Sequence, residues 1–459
     1  MTLFDAHDPR PVHFVGIAGA GMSALAELLA RRGIAVTGCD ASPNRNEALE
    51  QLGIVFEPRH DPAHVSGAQA VVATSAMPRD HAELARAREL GIPVIRRAEA
   101  LAGAVEAGQT ICIAGTHGKT TTTVMTTEAL AAAGRNPTGI VGGRVAAWGG
   151  NLSRGGDELF VVEADEYDRS FLALSPTVAT ITNVEADHLD IYKDLDDIRG
   201  AFAQFASKAR AVVLCADDPG AASIELASTS EIVRYGITSP DARLVARDVR
   251  AENGGTVFTV VYDGSEETDV RLGVPGRHNV LNALAALGSG RALGVPLDAM
   301  SPGLAAFGGV ERRFQRLGEA RGVQVIDDYA HHPTEIRATL AAARAAYPGR
   351  RIIAAFQPHL YSRTRDFAGD FGGALAGADN IYLTEIYGAR EKPITGVTAA
   401  LIDGAARSAG RAITWRGERD ALAAALAAGT EPGDVVLTLG AGDITRTGPE
   451  LLALLSAAR

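Results

Sequence analysis

The sequence predicts an α/β protein of three domains, each built on a sheet wound with helices. Three observations carry this. Short apolar runs alternate with helical patterns over the first hundred residues and again from Thr110 to Cys215. Strands separated by helices pair in parallel through right-handed crossovers. Two glycine-rich loops, at Gly16–Gly21 and Gly115–Gly118, each follow such a strand and open a helix. Finally, 459 residues exceed what one core organises, so two to four domains are expected from length alone.

Taken in order, Val12–Gly16 reads as a strand and Ser23–Arg32 as a helix that Gly33 stops. Ala35–Cys39, Ala70–Thr74 and Pro93–Ile95 are the next strands. A second unit starts with the strand Thr110–Ala114, followed by a helix ending near Gly134. Strands at Leu159–Val162, Val178–Thr182 and Ala211–Cys215 continue it. Between Ile232 and Leu272 the pattern changes. Val257–Tyr262 alternates and holds β-branched residues, which predicts antiparallel ribbons before a helix at Asn279–Leu293. A third unit starts near Glu311, with strands at Val323–Asp327, Arg351–Phe356, Asn380–Leu383 and Val435–Leu439. The breaks fall near 104 and 314, giving domains 1–104, 105–313 and 314–459.

Composition narrows the function. Hydrophobic residues make up 46% and charged residues 22%, as in soluble globular proteins. A net charge of −11 argues against nucleic acid as the main partner, because a phosphate backbone needs a basic face. No run approaches the roughly 20 apolar residues of a membrane span, and Met1–Arg10 has no apolar leader. A cytoplasmic protein is expected. Cys39, Cys112 and Cys215 form no CxxC pair, so buried free thiols are expected rather than a zinc site or a disulfide.

Four motifs carry chemistry. Gly16-Ile17-Ala18-Gly19-Ala20-Gly21-Met22 has the strand–loop–helix context of a dinucleotide-type phosphate loop. Asp40, ending the next strand, stands where an acidic residue meets a ribose hydroxyl. The plain alternative is a tight turn without a ligand, and Ala18 in place of the middle glycine weakens a nicotinamide reading. The second motif is Gly115-Thr116-His117-Gly118-Lys119-Thr120-Thr121. It resembles a P-loop but is shorter, because Ile113 stands at the first glycine position. Its backbone amides would wrap the β-phosphate, Lys119 would reach the β and γ oxygens, and the Thr120 hydroxyl suits Mg²⁺. A Gly-Lys-Thr triplet alone occurs by chance; the flanking strand and helix make ATP the expectation.

The third motif, Glu163-Ala164-Asp165-Glu166-Tyr167-Asp168, puts four carboxylates after an apolar strand. At the C-terminal edge of a parallel sheet, Glu163 suits a hard cation such as Mg²⁺. Glu166 and Asp168 fit a solvated acidic loop as well as a site. The fourth, Asn183–Asp190, surrounds His188 with Glu185, Asp187 and Asp190 after another strand, which favours a metal or phosphate role over a merely packed histidine.

In this order, over nearly the whole chain, these motifs resemble the Mur ligase family. Gly276–Asn282, Gly309–Phe314, Asp327–Glu335, Phe356–Arg365 and Thr384–Lys392 extend the resemblance. It implies a Rossmann-like N-terminal domain for a UDP-sugar, a P-loop ATPase-like central domain, and an α/β C-terminal domain that closes over an amino acid. Within the family it implies ATP-dependent joining of L-alanine to UDP-N-acetylmuramate through an acyl phosphate. Mg²⁺, or Mn²⁺, would be the metal, and the molecule a monomer or homodimer. By the resemblance, Gly16, Ala18, Gly19, Ala20, Gly21, Met22, Asp40 and Ser75 bind the UDP-sugar. Gly115 to Thr121, with His278, Asn279, Asn282, Arg313 and Asp328, bind ATP. Thr120, Glu163 and His188 organise the metal, and Tyr329, His331, His359 and Arg363 line the amino-acid site. Lys119, Glu163, His188, Arg313, His331 and Arg363 carry the chemistry. Lys208 receives no role. The rivals are a ligase that recycles murein tripeptide, a nicotinamide dehydrogenase, which leaves Lys119 and the carboxylates unexplained, and a P-loop switch, whose turnover would ignore amino acids.

Overall fold

A computed structural model describes residues 3–41, 47–74, 77–226, 231–389 and 391–457. It contains three sheets. The first holds β1 (Val12–Val15), β2 (Val36–Cys39), β3 (Val55–Glu57), β4 (Ala70–Ala73) and β5 (Val94–Arg96) in the order β3-β2-β1-β4-β5, all parallel. Strand order reverses beside β1, and ligands of open parallel sheets bind outside the strand ends at that point. The glycine loop follows β1. Helix α1 (Ala20–Arg31) begins inside the glycine motif, three residues before the expected start. Gly16 takes φ +84, a left-handed conformation that turns the chain sharply enough for the helix to begin at once. Also on this sheet are α2 (Ala82–Glu89) and α3 (Arg97–Val105).

The second sheet has ten strands: β6 (Gln109–Ala114), β7 (Thr138–Val145), β8 (Gly150–Ser153), β9 (Leu159–Glu163), β10 (Val178–Ile181), β11 (Ala211–Cys215), β12 (Glu231–Gly236), β13 (Leu244–Glu252), β14 (Gly255–Tyr262) and β15 (Glu266–Leu272). Their order is β15-β14-β13-β12-β11-β10-β6-β9-β7-β8. β6 lies between β9 and β10, so the ends of three strands converge beside α4 (Lys119–Ala132). The expected ribbon is shorter than its sequence suggested. β12 pairs in parallel with β11 and β13, and the hairpin begins only at Asn253-Gly254, both at positive φ, the geometry of a two-residue turn. α5 (Leu195–Ala206) is capped by Asp194, whose side chain accepts from the Asp197 N–H. α6 (Arg277–Arg291) starts two residues before expectation, and α7 (Leu297–Ala306) follows.

The third sheet runs β16-β17-β21-β18-β19-β20, from β16 (Gln315–Ala320), β17 (Val323–Asp328), β18 (Ile352–Phe356), β19 (Asn380–Thr384), β20 (Trp415–Gly417) and β21 (Val435–Leu439). β16 is antiparallel to β17; the other pairs are parallel. In β18, Ile352, Ala354 and Phe356 enter one core, and Ile353 and Ala355 enter the other. Covering on both faces explains its unbroken apolar run. The helices here include α8 (Pro333–Ala346), entered through a capping box of His332 and Glu335, and α9 (Tyr361–Leu375).

By contacts the chain gathers into two compact units. One holds residues 1–248, 258–270 and 281–307; the other holds 249–257, 271–280 and 308–459. The first two sheets thus lie almost wholly within one unit. No helix among the described residues is long and apolar enough to cross a membrane.

Candidate active site

The glycine loop is held from below by β2. The Cys39 carbonyl accepts from the N–H groups of Gly16 (2.8 Å) and Ile17 (3.1 Å). Asp40, expected at a ribose, accepts from the Ala18 N–H through Oδ2 at 3.0 Å. The alanine that replaces the usual glycine is therefore tied by its backbone, and its side chain points into solvent. Gly19 is the N-cap of α1 with no side-chain cap, so Ala20 and Gly21 present a helix N-terminus suited to a diphosphate. A Cβ on Gly21 would lie 2.6 Å from the Arg97 guanidinium, so the loop and that side chain approach closely here. Arg97, the first residue of α3, was missed by sequence reasoning; a lone arginine carries no motif. Ser75 lies outside the described residues.

The nucleotide loop is clamped by the segment after β10. His117 N–H donates to Asn183 Oδ1 (2.7 Å), and its carbonyl accepts from Thr182 Oγ1 (2.6 Å) and Asn183 Nδ2 (3.0 Å). The Glu185 N–H donates to Thr116 Oγ1 at 2.9 Å. Gly115 has φ +141, and a Cβ there would stand 2.0 Å from Thr182 Oγ1; Gly118 has φ +80, and a Cβ would stand 2.6 Å from Asn282 Oδ1. Asn282 also accepts from Thr122 Oγ1 at 3.2 Å, so α6 packs on the nucleotide helix through that amide. Thr121 is buried in the first turn of α4.

Lys119 curls over its own loop. Its Nζ donates to the Gly115 carbonyl (2.7 Å) and to Glu166 Oε1 (2.9 Å). Burial alone would lower its pKa, but Glu166, Asp165 and Glu163 overcome that and raise it, so it stays cationic. Glu166 is buried, and burial pushes its carboxyl up to about 7 against the pull of Lys119. His188, held at φ +52, places Nε2 3.7 Å from Glu166 Oε1. Glu166 therefore joins Lys119 to His188. Its sequence neighbours made it look like one carboxylate of a solvated loop; burial distinguishes it.

Thr120 Oγ1 donates to Glu163 Oε1 at 3.0 Å, and Glu163 Oε2 accepts from the Gly142 N–H at 2.6 Å. A hydroxyl and a carboxylate meeting at the end of a parallel strand form a hard-oxygen pair, which fits Mg²⁺ or Mn²⁺. His188 is brought to Glu166, which lies three residues beyond Glu163. A cavity of about 290 Å³ is lined by Gly21, Met22, Thr74, Arg97, Gly142 and Glu163. It puts the expected sugar-diphosphate loop and Glu163, the carboxylate of the expected metal pair, on one space. Lys208 Nζ donates to the Leu172 carbonyl, at the end of the segment that follows Glu166.

The second unit assembles the remaining candidates. Asp328, at the end of β17, accepts from Phe314 N–H and Ala330 N–H, both at 2.8 Å. Burial pushes it up to about 6, opposed by Arg313. Arg313 stacks on the Tyr329 ring and pairs with Glu335 at 3.5 Å. Glu335 Oε2 also accepts from the His331 N–H (2.9 Å). His331 meets His359 edge to face, 6.1 Å between centroids, and His359 stacks on Tyr387. Burial, helped by Arg313, pushes His278 down to about 4, leaving a neutral imidazole at pH 7. Asn279 donates to the Pro275 carbonyl at 2.8 Å. Arg363 is buried in the first turn of α9. Glu335 and Tyr387 were not singled out in the sequence: one is a helix cap and the other comes from a distant loop.

Three family models match the chain: the Mur ligase family catalytic domain over residues 11–109, the Mur ligase middle domain over 113–290, and the Mur ligase glutamate ligase domain over 312–442. The UDP-N-acetylmuramate–L-alanine ligase of Streptomyces coelicolor is 47% identical over 454 residues, covering 97% of this chain and 98% of that one. That of Acidothermus cellulolyticus is 45% identical over 448 residues, 95% and 94% of the two chains. Among solved structures, the UDP-N-acetylmuramate–alanine ligase of Thermotoga maritima superposes with a TM-score of 0.82 at 29% identity, over 98% of this chain and 100% of that one.

Proposed function

Because the chain belongs to the Mur ligase family, we propose that it joins L-alanine to the carboxylate of UDP-N-acetylmuramate, converting ATP to ADP and phosphate. The observation that carries this reading is the shared cavity of the glycine loop, Arg97 and Glu163. A sugar diphosphate on the helix N-terminus would extend its acid toward the γ-phosphate of an ATP on the neighbouring loop.

A carboxylate is a poor electrophile at neutral pH. Transfer of the γ-phosphoryl group gives an acyl phosphate, which the alanine amine attacks; the tetrahedral adduct collapses to the amide and phosphate leaves. Catalysis of such transfers is mostly positioning and charge stabilisation. Lys119 neutralises phosphate charge once it exchanges the Gly115 carbonyl for phosphate oxygens. Glu166 keeps that ammonium aimed at the loop and links it to His188. Mg²⁺ or Mn²⁺ on Thr120 and Glu163 would supply positive charge to the phosphate oxygens. Asp40 keeps the Ala18 amide oriented beside the diphosphate, and Arg97 faces its negative charge. We assign Arg313 to the nucleotide, with Asp328 fixing its loop, and His278, Asn279 and Asn282 to the adenine end. Tyr329, His331, His359 and Arg363 are assigned to the amino acid. The attacking amine must lose a proton, and His331 or the departing phosphate can take it. Reading the domains as 1–104, 105–313 and 314–459, each binds one substrate, and the substrates place the work in the cytoplasm.

ADP release measured with UDP-N-acetylmuramate tests this. Turnover is expected with L-alanine and not with murein tripeptide. Preference for the tripeptide would make it a recycling ligase; turnover without any amino acid would remove the ligase reading.

A further inference from the structure

The N-terminal sheet carries a cluster that the reaction above does not use. Glu83, in the first turn of α2, has no solvent exposure. Among the described residues its ion-pair partners are all histidines: His64 at 3.2 Å, His60 at 3.1 Å, His81 at 3.8 Å and His13 at 3.9 Å. Cys39 Sγ lies 3.1 Å from Glu83 Oε1 and 3.1 Å from His60 Nδ1. A carboxylate removed from water needs a cation or a full set of donors. No lysine or arginine pairs with it among the described residues.

We propose that His13, Cys39, His64 and Glu83 bind a divalent transition metal, zinc by preference. Their ligand atoms all lie within 4.8 Å of one another. Zinc–ligand lengths of about 2.0–2.3 Å set tetrahedral edges of roughly 3.3–3.7 Å, and the contacts to Glu83 straddle that range. His13 is 1% exposed, and its Nε2, aimed at Glu83, has no hydrogen-bond partner. Its other ring nitrogen is fixed by Thr37 Oγ1 at 2.8 Å. One nitrogen tied and the other aimed inward is how protein scaffolds orient metal-binding imidazoles. The donor set is one thiol, two imidazoles and a carboxylate, which suits zinc and not Mg²⁺. The thiol proton passes to solvent as the sulfur–metal bond forms. His60 and His81 stand on the second oxygen of Glu83 and close the site.

The cysteine spacing hid this, because the ligands come from β1, β2, the turn Pro62–Val65 and α2 rather than from one ribbon. A metal there would staple four elements of a small domain. It would also brace the glycine loop, since the Cys39 carbonyl carries the Gly16 and Ile17 amides.

The test uses the full-length protein, stripped with a chelator and held in excess Mg²⁺ so that hard-oxygen sites are occupied. Titration with Co²⁺ is expected to give one equivalent bound, with a thiolate-to-cobalt charge-transfer band that Zn²⁺ removes. Cys39→Ser should lose the band, and His64→Ala should bind at least tenfold more weakly, both with unchanged circular dichroism. Zn²⁺ should raise the melting temperature of the wild type. Absence of the band in the wild type overturns the site without recourse to a variant and leaves a hydrogen-bonded Cys–His–Glu network. Equal Co²⁺ affinity in His64→Ala would place the ion elsewhere and overturn it too.

Discussion

Lys119 and Glu166 show how a single pair of side chains organises the site. The ammonium is held 2.9 Å from a buried carboxylate that also faces His188. Lys119→Ala should reduce ligation below about a tenth of wild type with the fold intact if the ammonium neutralises phosphate charge as proposed. Retained turnover in a coupled ADP assay would contradict the assignment. Arg97→Ala should raise the KM for UDP-N-acetylmuramate by roughly tenfold, the loss of one charge-assisted contact, and leave the KM for ATP unchanged. A change confined to ATP would move Arg97 to the other substrate. Arg363→Lys should raise the KM for L-alanine by roughly tenfold, because a lysine cannot reproduce the planar fork that matches a carboxylate. An unaltered KM for alanine with a raised one for ATP would reassign it.

At the scale of the element, the nucleotide loop and its helix set the terms. Gly115 at φ +141 faces Thr182 Oγ1 and the Asn183 backbone, neither a flexible end that swings away. Gly115→Ala should therefore abolish ATP binding by calorimetry and lower the melting temperature; normal affinity would show that the loop tolerates a Cβ. Further along α4, burial pushes Glu128 up to about 7, although a hydrogen bond from Trp148 works the other way. Its folded pKa lies above the ordinary carboxylate value. The stability it allows is thus fully present below about pH 4.5 and falls away as pH rises to about 7. Glu128→Gln removes that loss. The variant should gain on wild type between those pH values, reaching roughly 1–3 kcal/mol and staying level above pH 7. Equal differences in urea midpoint at pH 5 and pH 8 would rule out a buried acid.

For the whole molecule, the division of labour among the sheets is open to hydrogen exchange on the intact chain. UDP-N-acetylmuramate should protect the amides of 16–22, and ATP those of 115–121, because each loop is anchored to its own parallel sheet. Protection of 16–22 by ATP alone would reverse the assignment. The expected elements came from alternation and glycine punctuation, both local properties. Ile111–Ala114 and Val435–Leu437 are unbroken apolar runs with no exposure and read as buried strands from composition. The strand–loop–helix placement of the two glycine loops read equally well, since glycine between an apolar run and a helical pattern is a local signal. The antiparallel edge Gln315–Ala320 did not read as a strand, because its half-exposed residues have no apolar run.

What the sequence determined by itself is therefore whatever depends on neighbours in the chain: strands, helices, the two glycine loops, and the order of motifs that places the protein in its family. Only the tertiary structure decided which polar groups share a partner. Glu166 became an ion-pair hub through burial beside Lys119, 47 residues away. Asp40 became a backbone tie through the Ala18 amide, 22 residues away. Cys39 joined four histidines around Glu83 because two strands, the turn Pro62–Val65 and the first turn of α2 pack together. A charge's role depends on its solvation and on what stands within about 4 Å, and folding sets both.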